Sequence, residues 1–89
     1  MAAAPDRQRI DRWLWHARVV STRGAAAALA GSGHVRVSGA RIRAPSRTVR
    51  TGDVITVALE RHVRVLKVSG FVERRGPAGT ARHLYEDLG

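Results

Sequence analysis

RIDRWLWHARVVSTRGAAAALAGSGHVRVSG, Arg9 to Gly39, changes its hydrophobic period partway along, and that change sets the fold class. In the first third, Ile10, Trp13, Leu14, Ala17 and Val20 recur at helical spacing and predict one buried stripe. Asp11 either caps this first helix or sits at its positive end. Trp13 falls on the stripe and reads as core, while Trp15 falls at its edge, where the chain's tail can pack on it. Arg12, His16 and Arg18 lie off its centre. Ser21 or Thr22 then caps a second helix with the body GAAAALAG, whose alanines permit close approach to the first. Ala26, Leu29 and Ala30 form its inward face, with Ala25 beside them, and Gly31 and Gly33 end it. After Gly33 the period becomes two: Val35 and Val37 share a face, Arg36 takes the other, and Ser38-Gly39 turns the chain.

Outward from this stretch the pattern stays β-like. Ile42 points inward between Arg41 and Arg43. APSRTVRTGD, residues 44–53, reads as a loop with one short strand, and Gly52-Asp53 turns into the strand VITVAL. HVRVLKVSGFV reads as a last long strand bent at Gly70, with Val63, Val65 and Lys67 in one row, while Leu66 and Val68 signal either a bulge or burial on both faces. ERRGPAG is a charged turn. TARHLYEDL reads as a helix of about two turns, with Leu84, Tyr85 and Leu88 free to dock. The expected fold class is α+β, with two N-terminal helices packed on a small, mainly antiparallel twisted sheet and a short C-terminal helix. The expected division is a flexible segment 1–8, a domain 9–70, and a C-terminal turn and helix 71–89 packed on it.

The charge is unevenly placed. The 89 residues carry a net +9, from fifteen arginines and Lys67 against seven acids. Eight arginines and no acid lie between Arg12 and Arg50, whereas the chain from Glu60 onward has six basic residues and four acids. The positive field therefore belongs to the first half and draws a phosphate-rich partner there. Arginine's rigid fork suits phosphate. Arg23, in the first turn of the second helix, is a candidate phosphate grip, with Arg12, Arg18 and Arg36 displayed off the apolar faces.

Catalytic readings find little support. With no cysteine there is neither a disulfide framework nor a thiolate zinc site. His16, His34, His62 and His83 are dispersed, the serines fit caps and turns, and the glycines form no phosphate-binding fingerprint. No apolar run reaches the ~18 residues of a membrane span. The expectation is a cytoplasmic binding module without catalytic residues, metal or cofactor. Its partner is RNA or, alternatively, an acidic protein or DNA met by a basic regulatory module.

Arg9-Ile10-Asp11-Arg12-Trp13-Leu14-Trp15-His16-Ala17-Arg18, Thr22-Arg23, Gly33 to Gly39, Pro45-Ser46 and Gly52-Asp53 resemble the RNA-binding domain first recognised in ribosomal protein S4. The Trp-Leu-Trp segment, the Thr-Arg helix start and the ending RRGPAGTARHLYEDL are most similar to its ribosome-associated heat-shock protein 15 branch. The resemblance implies the S4-like, or alpha-L, fold and a basic helical face that binds structured RNA. It places contacts at Arg9, Arg12, Thr22, Arg23, His34, Arg41, Arg43, Ser46 and Arg47. It further implies a non-enzymatic role on the large ribosomal subunit, with 23S rRNA and peptidyl-tRNA as partners and a nascent-chain rescue factor alongside. Ser21, Ala27, His34 and Ser38 stand where relatives often have lysine, asparagine or another basic residue, which implies a weaker contact surface there. Some relatives carry a longer basic extension after the position of Leu88, from which lower ribosome affinity or reliance on another factor is expected here.

Overall fold

The computed structural model describes residues 6–89. In chain order these form β1 (Arg7–Arg9), α1 (Ile10–His16), α2 (Arg23–Gly31), β2 (Val35–Val37), β3 (Ala40–Ile42), β4 (Thr48–Arg50), β5 (Val54–Ala58), β6 (Val63–Val68), α3 (Ala78–Ala81), a 3-10 turn (Arg82–Leu84) and β7 (Tyr85–Asp87). Five strands make an antiparallel sheet in the order β3-β2-β5-β6-β7, and β1 pairs with β4 as a separate ribbon. The helix pair packs on one face of the sheet: Ile10, Trp13, Leu14, Ala26 and Ala30 share a core with Val35, Val37, Ile55, Val57, Leu66 and Val68. The α+β architecture with a short C-terminal helix is the expected one.

Helix α1 buries its predicted stripe through Ala17 and then stops, so Val20 is only half-buried outside it. The cause is local. Arg18 has φ 60°, its N–H bonds the Trp15 carbonyl at 3.1 Å, and the Val19 N–H bonds the Leu14 carbonyl at 3.0 Å. This is the Schellman arrangement, with arginine where glycine is usual. Thr22, not Ser21, caps α2, its hydroxyl accepting the Ala25 N–H at 3.0 Å. Ala26 and Ala30 are fully buried, and their small side chains let the two helices approach closely. In the β2–β3 hairpin Ser38 and Gly39 both have positive φ, as a two-residue turn of this twist requires.

Three expectations are corrected. Arg7 and Gln8, placed in the flexible segment, belong to β1 and pair with Arg50 and Val49; residues 1–5 of that segment lie outside the described residues. In β6 the inward row is Arg64, Leu66 and Val68, while Val63 is 54% exposed. Leu66 faces Ile55 across the ladder, and Arg64 closes the row by lying 5.5 Å over the Tyr85 ring and reaching Asp87 at 3.5 Å. The phase is set by this partnering, which a strand apolar on both faces does not reveal. Finally, the tail's helix is only Ala78–Ala81, and Tyr85–Asp87 becomes strand β7 against β6. Pairing there satisfies backbone groups on an otherwise open edge.

Between β6 and α3 the chain crosses back over α1 as a strap. Strand β6 ends at Val68, and Ser69 and Gly70 both donate to the Leu84 carbonyl. Phe71 is buried in the core. Side chains of β1, α1 and the turn after α1 then hold carbonyls along the strap: Trp13 Nε1 on Gly70 at 3.3 Å, Gln8 Nε2 on Val72 at 2.9 Å, Arg12 Nη2 on Glu73, and Arg18 Nη2 on Gly76 at 2.9 Å. Arg75 returns the contact, donating to the Trp15 carbonyl at 3.2 Å with its guanidinium 5.4 Å from the ring centroid. Trp13 is thus core and Trp15 a half-buried edge residue packed by the tail, as its position in the stripe predicts.

Candidate nucleic-acid interface

Three of the expected site residues converge on one cleft. Arg9 precedes α1, Arg12 lies in its first turn, and Arg23 opens α2. With Arg7, Gln8, Glu73 and Arg74 they line a cleft of about 420 Å³. Arg9 is held by Asp11 through two bonds, Nε to Oδ1 at 3.1 Å and Nη2 to Oδ2 at 3.0 Å. A guanidinium has five N–H donors, so three remain while its orientation is fixed. Asp11 therefore serves the positive end of α1 and the Arg9 fork, and is not the N-cap. Of the free N–H groups of α1, that of Arg12 goes to Asp11 Oδ1 at 2.7 Å, and two go to the loop between β3 and β4: Ile10 donates to Arg47 O at 2.7 Å and Asp11 to Pro45 O at 3.2 Å.

That loop turns at Ala44–Arg47, closed by the Arg47 N–H on Ala44 O at 3.0 Å with Pro45 in the second position. Its carbonyls face α1, and the side chains of Arg43, Ser46 and Arg47 are exposed. Thr48, next to Arg47, faces Arg9 across the β1–β4 ribbon, so the loop adjoins the cleft. The Arg43 guanidinium lies over Gly33, where an added Cβ would stand 3.5 Å from Nη1. The hydroxyl oxygen of Thr22 is engaged as the helix cap beside Arg23.

The other expected residues stand elsewhere. Arg18 is at the far end of α1, beside a depression shared with Arg82 and Tyr85. His34, Arg36 and Arg41 line a shallow hollow with Thr56 and Val63 on the sheet face away from the helices, because Val35 and Val37 point into the core. Arg36 and Arg41 are direct cross-strand neighbours, a like-charge pair that is unfavourable unless an anion joins it. The Ser32 hydroxyl donates to Leu29 O at 2.7 Å, so the proton joining it to His34 Nδ1, also at 2.7 Å, belongs to the imidazole. Nε2 is then the acceptor of neutral His34.

Arg7, Gln8 and Arg74 were missed by sequence reasoning. Arg7 and Gln8 sit in a three-residue strand, and Arg74 reaches the cleft from the far end of the chain through the strap. His16 is almost fully buried beneath the strap. Burial pushes its pKa below the usual histidine value, helped by the charge of Arg12 and less by those of Arg23 and Arg75, against the Val72 carbonyl. At neutral pH the charge of this surface is therefore carried by arginine. Among the described residues no three histidines or carboxylates are grouped to hold a metal ion, and no helix is long and apolar enough to cross a membrane.

Residues 8–55 match the S4 domain family, and the chain belongs to that family. It is 42% identical over 82 residues to a Heat shock protein 15 homolog of Aeromonas salmonicida and 35% identical over 79 residues to Heat shock protein 15 of Escherichia coli, each match covering 89% of this chain and 59% of the relative. A solved trimeric structure of Vibrio cholerae Heat Shock Protein 15 superposes with a TM-score of 0.84 at 30% identity, covering 92% of this chain and 82% of that one. Small ribosomal subunit protein uS4 of Rhodopseudomonas palustris is 40% identical over 72 residues, 79% of this chain and 35% of that protein. Within the S4 group, the chain is a member of the Heat shock protein 15 family, spanning about three fifths of the length of the family members it matches in sequence.

Proposed function

We propose that this protein is a non-enzymatic factor that binds structured RNA on the ribosome, through the cleft arginines Arg9, Arg12 and Arg23 and the adjoining loop with Arg43, Ser46 and Arg47. The observation that carries this reading is the convergence of five guanidiniums on one cleft with a single carboxylate, Glu73. Convergent like charge opposes folding and is relieved by a polyanion. Affinity then comes from phosphate contacts and from fit to a folded RNA, with little reading of base sequence.

Membership in the heat-shock protein 15 family supports a finer reading. The site is 23S rRNA and tRNA on the large subunit, in particular 50S particles obstructed by peptidyl-tRNA, with a nascent-chain rescue factor acting beside it in the cytoplasm. His34, Arg36 and Arg41 form a second contact on the outer sheet face, and Arg18 steadies the strap. Competition between duplex RNA and duplex DNA of equal length, at one ionic strength, tests the class of partner. RNA should win, and Arg23→Ala/Arg47→Ala should lower its affinity without changing the melting temperature. Equal competition by DNA would favour the reading as a general basic or DNA-binding module.

A further inference from the structure

The cleft holds more than a row of cations. Arg7 and Arg74 stand on it, exposed, and neither side chain makes a hydrogen bond among the described residues. Glu73 also lines it, yet among the described residues its carboxylate forms no ion pair with any of the five arginines there. Gln8 is nine-tenths buried in the wall. Its Nε2 is committed to the Val72 carbonyl, and its Oε1 finds no donor. The Oε1 atom is itself enclosed, so the acceptor that the cleft presents is the exposed, unpaired Glu73 carboxylate, beside a surplus of donors for phosphate.

An unpaired nucleotide in an RNA helix has this combination of groups. Its flanking phosphates are anionic, its base edge carries N–H donors, its ribose carries a hydroxyl donor, and its face can stack on a guanidinium. About 420 Å³ is small-ligand size, and a paired helix cannot enter it. We infer, building on the RNA-binding reading above, that this cleft receives one unpaired nucleotide extruded from the RNA. Arg7 and Arg74 join Arg9, Arg12 and Arg23 on its phosphates, and Glu73 takes donors of its base. Guanine fits that carboxylate best, because its Watson–Crick edge presents adjacent N–H donors to it.

The strap makes this site. Arg12 binds the Glu73 carbonyl and Gln8 the Val72 carbonyl, so the segment bearing Glu73 and Arg74 is fixed to the same elements that bear Arg9 and Arg12. A duplex lying across α1, α2 and the β3–β4 loop would bring a bulged nucleotide to the cleft mouth.

The test compares a hairpin RNA with one bulged guanosine against the same hairpin fully paired, by fluorescence anisotropy at fixed salt. Wild-type protein should prefer the bulged RNA about tenfold, the scale of one held base. Arg7→Ala/Arg74→Ala, at exposed positions, should remove most of that preference while melting as wild type. Arg47→Ala should weaken both RNAs alike. Glu73→Gln should reduce the advantage of bulged guanosine over bulged uridine, and an unchanged advantage would remove Glu73 from the site. Equal wild-type affinity for bulged and paired RNA would overturn the inference while leaving RNA binding intact. Failure to bind either RNA would overturn both.

Discussion

Replacing Trp13 by alanine tests the packing on which the proposed surface depends. The indole is fully buried in the core, and its Nε1 donates to the Gly70 carbonyl where the strap begins. Truncating a buried tryptophan costs about 3–5 kcal/mol, and leaving the carbonyl without a donor adds about 1 kcal/mol. A chain of this length has about 4–13 kcal/mol of stability in total. Trp13→Ala should therefore lower the melting temperature by at least about 15 °C or prevent folding, at about 4–8 °C per kcal/mol. Trp15→Ala should do less, at about 1–2 kcal/mol, because the ring is only half-buried at the edge of the core, with the Arg75 guanidinium over it. Thermal and urea unfolding followed by circular dichroism measures both variants. A Trp13→Ala protein that melts as wild type, or a Trp15→Ala protein that is the less stable of the two, would refute the assignment of core and edge.

Thr22→Ala removes the side-chain cap of α2 and should cost about 1 kcal/mol, read as a lower urea midpoint with an unchanged slope. His16 has a folded-state pKa below its unfolded value, so the unfolded chain takes up the proton first as pH falls. Stability is then full above about pH 6.5 and declines below it by up to about 1.4 kcal/mol per pH unit, until the folded state protonates too. His16→Gln should flatten that decline below about pH 6.5, and an unaltered profile would place the titrating group elsewhere. RNA affinity should depend steeply on salt: five phosphate contacts give a log-log slope of about −3.5 to −4.5, or a loss of about 10²–10³-fold between 50 and 200 mM. A slope near −1 would contradict a five-arginine site.

The helix pair and the β2–β3 hairpin were legible because each carries a local signal: the stripe through Trp13 and Leu14, the Thr22 cap, and the Ser38-Gly39 turn. The short strand expected within residues 44–53 is β4, whereas β1 and β7, of three residues each, exist through long-range pairing. Val63 to Val68 is apolar on both faces, so its phase waits on Ile55 and Tyr85. The end of α1 was also hidden, since arginine at position 18 gives no sign of a left-handed stop. The site divides along the same line. Arg12 is readable as an arginine off the apolar stripe and Arg23 as one at a helix start, while Arg9 is reached through the resemblance to the S4 domain. Arg7 and Arg74 meet them only after the β1–β4 ribbon and the strap have formed. Period-two alternation correctly opposed Arg36 to Val35 and Val37, and the sheet's place beneath the helices then carries Arg36 and Arg41 to the opposite face.

Co-sedimentation of the wild-type protein and an Arg12→Ala/Arg23→Ala double variant with purified 30S, 50S and 70S particles, across a salt series and with or without peptidyl-tRNA on 50S, tests whether these arginines form the ribosome-binding surface. The wild type should pellet preferentially with 50S carrying peptidyl-tRNA, and the variant should lose most of that binding. Equal, weak pelleting of both proteins with every particle, abolished by modest salt, would contradict an RNA interface built on these arginines.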